Sequence, residues 1–454
     1  MKIRNLIPWV FVLWIGGTWP QLAGGQSFPA RDPIIEKSVQ QVSADSLRAY
    51  VQTLVSFGTR HTLSTENDPH RGIGAARRWV EARLQEYSQR GGNRLRVEED
   101  RWMLTPGERV PFAHPIANII ATLPGTDTSD HRIFMASAHL DSRRSNVLDS
   151  IGDAPGADDD GSGVAALLEI ARIIANQHFP ATIKLVFFSG EEQGLYGSRH
   201  LAERAASEGW QIAALLNNDI IGQTTASETG LQDNTRVRVF SETIPAAETP
   251  EQARMRRMTN GDNDSPSREL ARYLYEIARA YIPNLDVVLI YRPDRFLRGG
   301  DHLPFQQKGY TAVRLTEYYE NFNHQHQDIR VEKGIHYGDL PEYMDFEYLR
   351  KNTALNLATL ISLAKSPAAP AHAWLSAGEL GNETTLRWMA SASGHPAGYR
   401  VLMRDTDQPL WQQAFYTTDT TLTLPYSKDN VFFAVQAIGA NGDMSLPVFP
   451  EISR

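Results

Sequence analysis

Residues 132–141 read RIFMASAHLD, residues 155–176 read PGADDDGSG followed by VAALLEIARIIAN, and residues 183–194 read IKLVFFSGEEQG. Arg132 to Ala138 and Ile183 to Phe188 are short apolar runs of strand length, and Gly163 to Asn176 between them repeats its apolar residues at helical spacing. Strand, helix and strand in this order predict an α/β domain whose sheet is buried on both faces and is at least partly parallel. The same alternation extends outward. Ala117 to Leu123, Ile212 to Ile221 and Val287 to Tyr291 read as further strands, and Ser267 to Ala280 and Phe346 to Ala364 as helices. Upstream, Val42 to Val55 and Gly74 to Tyr87 read as amphipathic helices, the second through Ala76, Trp79, Val80 and Leu84. Residues 223–265 are polar and predict an excursion over the surface.

The two ends of the chain differ from this middle. Residues 1–25 carry Lys2 and Arg4, an apolar run from Leu6 to Trp19 and a small-residue close at Ala23-Gly24-Gly25, the pattern of a cleaved signal peptide. A retained anchor needs about 20 apolar residues, and Pro8 and Pro20 interrupt the run. The mature chain is therefore expected to be secreted or periplasmic, with no membrane span. Ser366-Pro367-Ala368-Ala369-Pro370 reads as a linker. Beyond it the apolar period changes to two, with Tyr399, Val401 and Met403 on one strand face and Val431, Phe433 and Val435 on another. Residues 371–454 are expected to form a small all-β sandwich, and residues 26–365 the α/β domain.

Composition narrows the chemistry. Among 454 residues, 41% hydrophobic and 22% charged, 45 Lys and Arg face 53 Asp and Glu, a formal charge of -8. That balance lacks the basic face a nucleic-acid partner requires. There is no cysteine, which excludes a thiol nucleophile, thiolate-bound metal and disulfides. A metal here must be held by His, Asp and Glu.

Five polar clusters follow the apolar runs, where open α/β sheets bind their ligands. His139 and Asp141 share a face of an extended chain, so the carboxylate could orient a metal-binding imidazole or make only a structural hydrogen bond. Asp158, Asp159 and Asp160 repel one another and invite a cation, although a solvated loop capping the next helix fits the same residues. Glu191 and Glu192 can divide the roles of free base and ligand. Asp219 ends the run from Ile212, and Asp301-His302 follows two glycines that permit close backbone approach. Taken together, histidines and carboxylates without thiols form the donor set of catalytic zinc.

His-x-Asp, Gly-Ala-Asp-Asp-Asp-Gly-Ser-Gly, Ser-Gly-Glu-Glu-Gln-Gly-Leu-Tyr-Gly-Ser, Asn-Asp and Asp-His in this order resemble the co-catalytic di-zinc aminopeptidases of metallopeptidase family 28, over residues 36 to 365. The resemblance implies a zinc exopeptidase fold, with a mixed, mostly parallel central sheet flanked by helices. It also implies two Zn2+ ions and peptide substrates cleaved at their N-terminal bond by a metal-bridging water. In that pattern His139 and Asp219 hold one zinc, Glu192 and His302 the other, and Asp158 bridges them. Glu191 is the general base and Asp141 supports the histidine. The Asp158–Asp159 bond matches one that is cis in relatives. His324 and Asp328 resemble a His-x-x-x-Asp stretch behind the site, with His326 competing for the position. Separately, Leu386-Arg387-Trp388, Gly398 to Val401 and Phe433-Ala434-Val435 resemble a fibronectin type III module, which could bind a surface or polymer.

Three rival readings carry their own signatures. A carboxypeptidase or dipeptidase on this scaffold needs Arg295, Arg298 or Arg314 facing the site to meet a terminal carboxylate. A glutaminyl cyclase would use a single zinc, against which His139 and the paired glutamates argue. A non-enzymatic binding protein would have lost ligands. Tyr318 and Tyr319 fit either the pocket wall or the core.

Overall fold

The run beginning at Arg132 forms a strand through His139 near the middle of an eight-stranded sheet. In the computed structural model, residues 31–376, 378, 381–391 and 393–453 are described; the expected leader, residues 1–25, lies outside them. Helices α1 (Pro33–Val39), α2 (Ala44–Ser56) and α3 (Gly72–Arg90) come first, then strands β1 (Arg96–Leu104), β2 (His114–Leu123) and β3 (Arg132–His139). The chain continues through α4 (Gly161–Ile174), β4 (Thr182–Phe188), α5 (Tyr196–Ser207) and β5 (Gln211–Asn218). Next come β6 (Arg236–Phe240), α6 (Pro250–Thr259), α7 (Pro266–Tyr281), β7 (Asp286–Ile290), α8 (Leu303–Gln307) and β8 (Ala312–Glu317). A short hairpin, β9 (Arg330–Glu332) and β10 (Ile335–Tyr337), precedes the long helix α9 (Phe346–Lys365).

The sheet runs β1-β2-β4-β3-β5-β8-β6-β7. Its centre, β4-β3-β5-β8, is parallel, while β1, β2 and the β8–β6 pairing are antiparallel. This is the mixed, mostly parallel sheet the sequence predicts. Both faces are buried, as the alternation along β3 shows. Phe134, Ala136 and Ala138 pack with α2, α3, α4, α7 and α9, while Met135 packs on the opposite face with Leu201 of α5 and Phe305 of α8. Helix α4 is buried almost throughout, and its first turn presses on β3. A Cβ on Gly163 would lie 2.8 Å from the Ala138 Cβ, so only glycine permits the approach. Among the described residues no helix is long and apolar enough to cross a membrane.

The polar stretch 223–265 departs from the surface excursion expected of it. It contributes β6, paired on both sides within the central sheet, with Val237 and Val239 fully buried. Arg236 and Arg238 alternate with these valines, so polar side chains hid a two-residue period only five residues long.

After α9 come β11 (His372–Ser376), β12 (Thr384–Met389), β13 (Gly398–Asp405), β14 (Gln413–Thr417), β15 (Thr421–Leu424), β16 (Val431–Ile438) and β17 (Glu451–Ser453). They form sheets β15-β12-β11-β17 and β14-β13-β16, which close on Leu386, Trp388, Tyr399, Val401, Phe433 and Val435. The sandwich is antiparallel except for β17, which runs parallel to β11. Polar contacts fix it to α7. Trp411 Nε1 donates to Glu269 at 3.0 Å, Arg272 Nε to the Pro409 carbonyl at 2.7 Å and the Tyr273 hydroxyl to the Met444 carbonyl at 2.9 Å.

Candidate metal centre

Three adjacent parallel strands end at one place and deliver the chemistry. His139 closes β3, Glu191 and Glu192 follow β4, and Asp219 follows β5. The loop after β8 brings His326 over the same point. Two groups of potential ligand atoms result, His139 with Asp159 and Asp219, and Asp159 with Glu192 and His326. Asp159 belongs to both. One of its oxygens lies 3.1 Å from His139 Nε2 and the other 2.8 Å from His326 Nε2. Asp219 lies 4.0 Å from His139 Nε2, and Glu192 Oε1 3.0 Å from His326 Nε2.

The loop of three acids explains which carboxylate is left free. Asp160 caps α4, with one oxygen accepting from the Gly163 amide at 3.0 Å and the other from the His139 amide at 3.0 Å. Asp158 accepts from the Gly222 amide at 2.8 Å and is paired with Glu317. Asp339 accepts from the amides of both Asp158 and Asp159. Only Asp159 projects its carboxylate between the two histidines. Asp158, expected as the bridge, is held by Gly222 and Glu317, and the carboxylate common to both groups is that of Asp159. The cis peptide bond joins Asp159 and Asp160, one position later than expected.

His302 is likewise not among the grouped ligands. Its ring is fully buried at the start of α8, with Nε2 2.7 Å from the Pro293 carbonyl. The histidine grouped with Asp159 and Glu192 is His326. Its neighbour His324 stacks on Tyr343 at 3.9 Å, and Asp328 pairs with Arg144 at 2.7 Å. Asp141 supports the site differently from the expectation. His139 Nδ1 lies 2.9 Å from its backbone carbonyl, while its carboxylate accepts from the amides of Gly190, Glu191 and Glu192 and from the Thr62 hydroxyl. It thereby fixes the turn that carries both glutamates.

The electrostatics favour a cation here. Burial opposes charge on both imidazoles, yet Asp159 and Asp160 hold His139 well above its ordinary range, and Glu192 and Asp159 push His326 up to about 10. Protons are thus drawn to the positions where a divalent ion would neutralise the same carboxylates. Two imidazoles and three carboxylates, all buried except the half-buried His326 and without thiols, suit zinc. Glu191 stands apart from both groups, and burial raises its carboxyl well above the usual range. Beside the cluster opens a cavity of ≈ 890 Å³ lined by His139, Asp159, Glu191, Glu192, Asp219 and His326.

Residues 118–340 match the profile of peptidase family M28. A protein of Leptosphaeria maculans described as a "probable zinc metalloprotease" is 42% identical over 423 residues, covering 93% of this chain and 98% of the relative. One of Pyrenophora tritici-repentis with the same description is 42% identical over 437 residues, covering 95% of this chain and 90% of the relative. The chain belongs to peptidase family M28. It is an enzyme, a metallopeptidase. Its fold is shared with the Legionella pneumophila LapA aminopeptidase, at a TM-score of 0.53 and 17% identity over 76% of this chain and 78% of that one. LapB of the same organism gives 0.52 and 16%, over 74% and 76%.

Part of this M28 centre is built from residues upstream of the family match. Arg60, fully buried, donates to the carbonyls of Leu140 at 2.8 Å, Pro155 at 2.6 Å and Gly156 at 2.8 Å, tying together the two loops that carry His139 and Asp159. Thr62 reaches Asp141 from the same segment. Neither residue was singled out from the sequence, because nothing local distinguishes Thr59-Arg60-His61-Thr62 from an ordinary loop. Asp339 was missed for the same reason. His326 carried a signal, in its competition with His324 for the His-x-x-x-Asp pattern.

Proposed function

We propose that this metallopeptidase is a di-zinc aminopeptidase that hydrolyses the N-terminal bond of peptides. The observation that carries the reading is the pair of ligand groups joined by Asp159. His139 and Asp219 would hold one ion, Glu192 and His326 the other, with Asp159 between them. The zinc metalloproteases among the curated relatives support the choice of metal. Zinc bound there supplies Lewis-acid activation of a water and of the scissile carbonyl.

The chain's own groups do the rest. Glu191 lies on the cavity wall outside both ligand groups, so its carboxylate is free to take the water proton and pass it to the leaving amine. Its burial raises its proton affinity, which suits a group that must both accept and return a proton. Asp141 holds Glu191 and Glu192 at fixed positions through their amides. Export through a leader at residues 1–25 and a fibronectin type III-like character for the C-terminal sandwich, as a surface- or polymer-binding module, belong to the same proposal.

The test is an assay of zinc-loaded protein on peptides with free and blocked N-termini, with and without chelator, beside Glu191→Gln. Release of free N-terminal residues that chelator stops and Glu191→Gln lowers by about 100-fold or more supports the reading. Cleavage confined to N-blocked peptides with free C-termini contradicts it.

A further inference from the structure

Two arginines of the loop between β7 and α8, Arg295 and Arg298, line the same cavity as the metal-site residues. Their ion pairs leave positive charge unanswered. Arg238, Arg295 and Arg298 converge on Glu320 at 2.6, 3.2 and 3.2 Å, and Arg295 and Arg314 share Asp294 at 3.2 and 3.4 Å. Four guanidinium groups thus meet two carboxylates. The remaining acid is Asp219, 3.0 Å from Arg314, and it belongs to the metal cluster. Both Asp294 and Glu320 are already ionised. Burial would raise them, but Arg314 and Arg295 respectively overcome it and hold both below the usual carboxylate range.

Donor geometry points the same way. A guanidinium has five N–H groups arranged to grip a carboxylate through two at once. Arg298 uses only Nη1, on the Glu320 oxygen that Arg295 also shares. Its remaining N–H donors are available to a ligand, at the cavity wall. Arg199, exposed on α5, lines the cavity as well and makes no ion pair among the described residues.

We infer that the substrate bears a carboxylate in addition to the bond that is cleaved, and that Arg298, assisted by Arg295, binds it. The carboxylate belongs either to the C-terminus of a short peptide or to the side chain of an acidic residue. The inference rests on the peptidase reading of this cavity, whose volume of ≈ 890 Å³ suits a short peptide.

The experiment separates recognition from turnover. Zinc-loaded Glu191→Gln protein is titrated calorimetrically with Leu-Ala, Leu-Ala amide and Glu-Ala amide, and the wild type is assayed for cleavage of the same three. One of the two carboxylate-bearing dipeptides should bind about tenfold or more tightly than Leu-Ala amide. Adding Arg298→Gln should erase that difference and leave Leu-Ala amide unchanged, with Arg298→Lys retaining part of it. Preference for Leu-Ala assigns the terminal carboxylate, and preference for Glu-Ala amide the side chain. Equal affinities, no binding of either carboxylate dipeptide, or an Arg298→Gln effect equal on all three overturns the inference. Selective, Arg298-dependent binding without cleavage by the wild type would support it and count against the peptidase reading alone.

Discussion

Arg60→Met removes a guanidinium with no exposure to solvent that donates to the carbonyls of Leu140, Pro155 and Gly156 within 2.8 Å and, at 3.4 Å, to that of Leu54. Methionine fills much of the volume and donates nothing. Each of the three closely bonded carbonyls left facing inward costs about 1–3 kcal/mol, so the loss is about 3–9 kcal/mol. The upper half of that range is expected. Burial lowers Arg60 to about 10, so it is charged at neutral pH, and its charge offsets repulsion among Asp339, Asp160, Asp141 and Asp159. Against a total stability of about 5–15 kcal/mol this is a large fraction. Arg60→Lys keeps the charge but has a single nitrogen, and should lose about half as much. Urea denaturation of the zinc-free and zinc-loaded forms measures both. Because the three carbonyls flank His139 and Asp159, zinc affinity should fall together with stability, and excess zinc should restore part of it. Stability within about 1 kcal/mol of wild type, with unchanged zinc affinity, would refute the reasoning.

Glu66 is bound by Arg77 at 2.7 Å and lies 3.7 Å from His114; burial would raise its carboxyl, but His114 and Arg77 hold it at about 2. This stabilisation is complete above the ordinary carboxylate value and is lost as pH falls to about 2. Glu66→Gln should therefore destabilise by about 2 kcal/mol at pH 7, after allowance for partial exposure, with the gap closing in acid; a gap independent of pH in denaturation curves would contradict the assignment. Asp141→Asn replaces an acceptor oxygen by a donor at the turn holding Glu191 and Glu192, and should lower kcat or zinc affinity by about 10- to 100-fold, whereas wild-type values for both would exclude the role given to Asp141. Ending the chain at Ser366 strips Glu269, Arg272 and Tyr273 of Trp411, Pro409 and Met444, so the melting temperature should drop; an unchanged one would show that the sandwich is energetically separate.

The centre of the fold was legible because β3, α4 and β4 each announce themselves by period, and the parallel sheet then forces their ends together. Strand β6 was not, since Arg236 and Arg238 conceal its alternation. At the aspartates the sequence narrows the reading to three adjacent residues. Three consecutive acids look alike in sequence, and which one is left free between the two histidines depends on Gly163, Gly222 and Glu317, which occupy the other two. The resemblance to family 28 points to His302 as the second histidine, whereas the structure groups His326 with Asp159 and Glu192. The Pro293 carbonyl, nine residues earlier, takes up the ring instead. Arg60 acts on partners 80 to 96 residues away, a relation with no local trace.

Asp159 and His326 are proposed to complete a two-zinc site. Zinc counted by elemental analysis in the wild type, Asp158→Asn, Asp159→Asn, His302→Ala and His326→Ala, each equilibrated with buffered zinc, tests it directly. About two ions per chain are expected in the wild type, Asp158→Asn and His302→Ala, and about one or fewer in Asp159→Asn and His326→Ala. Two ions retained by Asp159→Asn and His326→Ala, with loss in Asp158→Asn and His302→Ala, would contradict the account.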